Sequence, residues 1–140
     1  MLRTLADMEN LRKRAEREKA EATLYAATNF ARDLLSVADN FSRALAAVTA
    51  QERAAASEAF AGLLSGIEVT ERELLQVFER HGIRRVSPEG EKFDPNMHQA
   101  MFEVPTGEQA PGTVVQVMQP GYAIGERCLR PALVGVAKAP

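Results

Sequence analysis

Among the side chains of this 140-residue sequence that could do chemistry, the scarcest are His81, His98 and Cys128. A cysteine nucleophile needs a base beside it, and His98 is the one histidine in the turn-rich C-terminal part with Cys128. A lone histidine just after an Asp-Pro pair is more often a hydrogen-bonded corner residue than a base. Two histidines and one cysteine match no zinc-ligand spacing. Gly121 and Gly125 do not lead from a strand into a helix, as a phosphate-cradling loop requires. The expectation is therefore an interaction protein and not an enzyme, with no metal, cofactor or directly bound nucleotide. A cysteine-dependent enzyme using Cys128 and His98 is the weaker reading. A net charge of −2 does not suggest nucleic acid, and no run of eighteen apolar residues suggests a membrane span. The N-terminus lacks the apolar stretch of a signal peptide, and a single cysteine suits a reducing cytoplasm.

The elements that would present a binding surface divide sharply. Residues 1–61 hold no glycine or proline, whereas all seven prolines lie at or beyond Pro88. Leu2 to Val48 reads as one uninterrupted helix, which at 1.5 Å per residue would run roughly 70 Å. Such a helix needs a partner along its surface. Met1, Met8, Ala15 and Ala22 recur every seven residues with Leu11 beside them, a thin seam. Charges of both signs between Glu9 and Glu21 form i,i+4 pairs, each contributing about 0.2–0.5 kcal/mol. Further on, Ala27, Ala31, Leu34, Ala38, Phe41 and Leu45 alternate by four and three. Phe30, Leu35, Val37 and Ala44 widen that stripe to bundle width. Thr49 with Glu52 reads as a capping box opening a second helix that carries Leu63, Ile67 and Leu74. Gly62 and Gly66 inside it suggest close backbone approach, and Gly82 suggests a left-handed helix end. One chain supplies two helices and two chains supply four, so a parallel homodimer is expected.

After Gly82 the period becomes two. Ile83–Val86, Ala100–Val104, Val114–Gln119 and Leu129–Lys138 read as strands, with Pro120-Gly121 as a turn. Pro131 marks an edge position or a bulge. The fold class is α+β: a long parallel coiled-coil helix (1–48), a short helix forming a four-helix bundle in the dimer (49–82), and a small C-terminal all-β head (83–140).

In the head the residues become specific. Phe93-Asp-Pro-Asn-Met-His-Gln-Ala-Met101 is followed by Gly121-Tyr122, Glu126, Leu129-Arg130, Ala132, Val134 and Val136. Met8-Glu-Asn-Leu-Arg-Lys-Arg14, Ser42-Arg-Ala-Leu45, Gly66-Ile-Glu68 and Val136-Ala-Lys-Ala139 extend the pattern over nearly the whole chain. It closely resembles GrpE, the nucleotide exchange factor of bacterial DnaK-type chaperones. The resemblance implies a cytoplasmic homodimer, one head of which enters the nucleotide-binding cleft of DnaK and holds it open so that ADP leaves. It implies DnaK contacts at Phe93, Pro95, Met118, Arg127 and Val136 in the head, at Arg43 and near Gly66 in the bundle, and at Arg12 in the rod. Phe93, Met118 and Val136 are equally the kind of residues that fill a head core. The alternative is a coiled-coil adaptor whose β head binds a peptide.

Overall fold

The computed structural model describes residues 2–140. Four helices precede six strands: α1 (Leu2–Tyr25), α2 (Thr28–Ala46), α3 (Ala50–Ala54), α4 (Glu58–Arg80), β1 (Ile83–Val86), β2 (His98–Pro105), β3 (Val114–Gln119), β4 (Gly121–Ile124), β5 (Arg127–Arg130) and β6 (Ala132–Lys138). The architecture is a long bent N-terminal helix followed by a small all-β region of two sheets.

The single helix expected from Leu2 to Val48 is bent at Ala26–Ala27. Neither residue is a helix breaker, so the cause lies elsewhere. The Thr28 hydroxyl donates to the Tyr25 carbonyl at 2.6 Å and occupies an acceptor at the end of α1. Leu24 and Tyr25 meanwhile pack against the head's core, which holds the last turn of α1 sideways. Beyond that turn the described residues of α1 are all exposed. It has no buried residue, and Leu5, Met8 and Leu11 are each more than half exposed. Met1, the first position of the thin seam, lies outside the described residues.

The second expected helix is likewise two. Thr49 accepts from the Glu52 amide at 3.0 Å, but the helix it caps is only the five-residue α3. Ser57 caps the longer α4, accepting from the Phe60 amide at 3.1 Å. Gly82 ends α4 with φ of +80°, the left-handed conformation expected of it. Gly62 and Gly66 do not serve tight packing within this chain: a Cβ at either would meet nothing within 4 Å.

The sheets run β1-β4-β5, antiparallel, and β2-β6-β3, in which β2 pairs with β6 in parallel. The strand expected from Leu129 to Lys138 divides at Pro131, where the chain leaves the first sheet for the second. Proline has no amide to donate, so it falls between the ladders. Gly121 begins β4 instead of forming a turn; a Cβ there would lie 2.6 Å from the Arg130 carbonyl oxygen, so backbone passes backbone.

One core joins helices to head. Ala31, Leu35 and Ala38 of α2 and Phe78 of α4 are buried with Ile83, Tyr122, Ile124 and Leu129. The Phe78 and Tyr122 rings meet edge to face, centroids 6.0 Å apart. Ala31 and Ala38, expected on a seam between chains, are 2 % and 0 % exposed and already spent on this intrachain core. A second small core holds Val114, Ala132, Val134 and Val136.

Candidate functional site

Arg127 opens β5 after the Gly125 turn and is exposed. Its guanidinium does not extend freely into water. It lies over the Tyr25 ring, 3.8 Å from the centroid, in cation–π contact with the end of α1. No ion pair engages it among the described residues, so its planar set of donors remains available at its edges. Glu18, Glu21, Ala22, Tyr25 and Ala26 share a shallow depression with it.

Met118 is 57 % exposed on β3 and is no core residue. It lines a second depression with Arg43 of α2, walled by Asp39, Ser42, Ala46, Arg85, Gln119 and Pro120. A head residue and an α2 residue that the resemblance names separately therefore line one depression. Arg43 holds the Asn40 side-chain oxygen at 2.9 Å and is otherwise exposed.

The remaining positions do not join these two clusters. Pro95 is exposed at the corner before β2, where Asp94 accepts from the Asn96 amide at 2.9 Å. Phe93 is half-buried against the second core, and Val136 lies within it. Arg12, far along α1, is bound to Glu9 and Glu16 on its own helix. Its guanidinium pKa is raised, chiefly by the Glu9 hydrogen bond. Gly66 opens onto empty space.

Of the other expected interface positions, Met8, Leu11, Ala15, Ala22, Ala27 and Leu63 are exposed, and Leu34, Phe41, Leu45, Ile67 and Leu74 are half-buried. Met8, Leu11 and Ala15 lie along one shallow groove on α1, and Phe41 and Ile67 line another with Val37 and Ala44 between α2 and α4.

His98 and Cys128 are not a catalytic pair. His98 is buried in β2, where Nδ1 accepts from the Asp94 amide at 2.9 Å and the ring packs against Phe93. Cys128 belongs to β5 in the other sheet, and burial pushes its thiol pKa up, away from the reactive thiolate.

A polar network that no local sequence pattern marks surrounds the Arg43–Met118 depression. Arg130 forms a forked pair with Asp39 and donates to the Pro120 carbonyl at 2.6 Å. Arg85 donates to the Tyr122 hydroxyl at 3.1 Å and to Ser42 at 3.2 Å, while Ser42 donates to Glu71 at 2.8 Å. Asp39 and Arg130 stand 91 residues apart, so no local pattern could have linked them.

Comparison with known proteins covers nearly the whole chain. The GrpE family profile matches residues 1–138. The chain is 64 % identical over 138 residues to Protein GrpE of Methylobacterium nodulans, covering 99 % of this chain and 61 % of that protein. It is 62 % identical over 138 residues to Protein GrpE of Bradyrhizobium diazoefficiens, covering 99 % of this chain and 69 % of that protein. It is 60 % identical over 139 residues to Protein GrpE of Afipia carboxidovorans, covering 99 % of this chain and 70 % of that protein. The chain thus spans between 61 % and 70 % of the length of these relatives.

Proposed function

The chain belongs to the GrpE family, and on that premise we propose that it is a co-chaperone that speeds ADP release from a DnaK-type chaperone by wedging the nucleotide-binding cleft open. The observation that carries this reading is the unbroken family match across bent helix, bundle helices and head together. The contact surface is read as Arg127 and Met118 of the head with Pro95 at the corner, Arg43 and the open face at Gly66 of the bundle, and Arg12 of α1. Phe93 and Val136 support that surface mainly from beneath, since their side chains fill the second core.

The working form is a parallel homodimer in the cytoplasm, acting on protein and not on nucleic acid or membrane. Among the described residues no helix is long and apolar enough to cross a membrane. The face for the second chain is the exposed one, Met8, Leu11 and Ala15 on α1, Phe30 and Val37 on α2 and Leu63 on α4, together with the half-buried Phe41 and Ile67.

The mechanism forms and breaks no covalent bond. A partner that prefers the open chaperone shifts its population toward open, and ADP, which prefers the closed cleft, leaves faster. Linkage then requires nucleotide to weaken the complex by the same factor by which the complex weakens nucleotide binding. The test is release of a fluorescent ADP analogue from DnaK with and without this protein. Acceleration supports the reading; an unchanged rate despite binding would mark an adaptor instead.

A further inference from the structure

We propose that Asp39 and Arg130 are positioning residues for nucleotide exchange, clasping the head to α2 so that the wedge acts as one rigid body; this rests on the exchange-factor reading above. Their side chains are only 22 % and 21 % exposed. Both oxygens of Asp39 take both terminal nitrogens of Arg130, the fork geometry that fixes direction as well as distance. Arg130 also reaches the Pro120 carbonyl and lies 5.3 Å from the Tyr122 ring centroid. Two weaker ties flank this pair on the same helix. Arg32, two turns earlier, donates to the Leu129 carbonyl at 3.2 Å, and Ser42, about one turn later, accepts from Arg85 at 3.2 Å.

The apolar contact alone would not hold this orientation. Its buried α2 side is Ala31, Leu35 and Ala38, with Leu34 packed against it half-buried, and the two alanines let helix and sheet approach closely while offering little to resist sliding. Apolar attraction is non-directional; the forked pair is not. Asp39, Gln119 and Pro120 also wall the depression shared by Arg43 and Met118. The clasp therefore sets where the head's contact residue stands relative to the bundle's. A partner engaging both sides of a loose junction would turn the head instead of opening a cleft.

The experiment uses the full chain with Asp39→Asn, Asp39→Glu and Arg130→Lys, read in two ways. Nitroxides at Ser36 of α2 and Gln116 of β3, in a Cys128→Ser background, report the head-to-helix distance. Fluorescent ADP release from DnaK gives the saturating rate and the half-saturating concentration separately. Asp39→Asn and Arg130→Lys should broaden the distance distribution and lower the saturating rate about tenfold, within the ordinary range of coupling between sites. The half-saturating concentration should move far less, and Asp39→Glu, which keeps the carboxylate, should restore most of the rate. A distribution as narrow as wild type in Asp39→Asn overturns the clasp. A broadened distribution with an unchanged saturating rate overturns the positioning role, as does a rate that falls only in step with loss of folded head. If the wild-type protein does not speed ADP release, the exchange-factor reading fails and the positioning role falls with it, while the distance measurement still judges the clasp.

Discussion

Arg127→Ala should separate stability from binding. In the free chain its guanidinium rests on Tyr25, and an exposed cation–π contact contributes about 0.5–1 kcal/mol. Losing a charged contact in a desolvated interface costs about 2–5 kcal/mol, thirty-fold or more in affinity. The variant should melt within a few degrees of wild type yet bind nucleotide-free DnaK at least thirty-fold more weakly; calorimetric melting and a binding titration check the two halves. Equal affinities would remove Arg127 from the surface. Cys128 makes a second residue-level test. Its folded pKa is raised, mainly by burial and against the opposing pull of the Arg130 backbone hydrogen bond and of Arg32. The neutral thiol is the form the fold favours, so this contribution is intact below the ordinary thiol value and is lost as pH rises through the raised one. Iodoacetamide alkylation of native protein should therefore reach half its limiting rate at higher pH than in urea-unfolded chain. Coincident profiles would show that burial does not govern the thiol.

The bend between α1 and α2 gives the clearest test at the level of elements. Thr28→Ala removes the hydroxyl that holds the Tyr25 carbonyl and supplies the best helix former. Amides across Ala26–Asn29 should gain protection from hydrogen exchange, with little change elsewhere; unchanged protection would place the cause of the bend in head packing alone. Gly66→Ala, with nothing within 4 Å of the new methyl, should stabilise α4 by up to about 1 kcal/mol in denaturant melts while leaving the fold intact. These two cases also mark how far sequence reading reached. Strands β1 and β3 and the glycine end of α4 were legible because period and turn chemistry are local. The bend was not, because a threonine in an alanine-rich run looks helical until a head packs against one side. Strand β4 is not legible in the sequence because Gly121–Ile124 is buried throughout and shows no alternation. Alanine spacing at Ala31 and Ala38 predicted a buried stripe correctly, but not which surface would cover it. The clasp is a contact between residues distant in sequence, so neighbours give no sign of it.

For the molecule as a whole, the proposed homodimer would cover the apolar faces left on α1, α2 and α4. Val37→Asp should turn a sedimenting dimer into a monomer whose head core still forms; a dimer that persisted would put the interface elsewhere. Heat should act unevenly as well. With no buried residue in α1 but one core shared by α2, α4 and the head, helical signal should fall in two steps, the first confined to α1. A single transition common to helix and Tyr122 signals would contradict that division. The second sheet carries one further consequence, for how the protein is made. Its central strand, β6, comes after both strands it joins, so on a growing chain β2 and β3 have emerged before either has a neighbour to pair with. At about 5–20 residues per second, the 34 residues from His98, which starts β2, through Pro131, the last before β6, represent a few seconds with strand edges open. If the chain is the co-chaperone proposed above, a helper of other proteins' folding passes through an interval of its own in which the exposed edges of an unfinished sheet are open to capture.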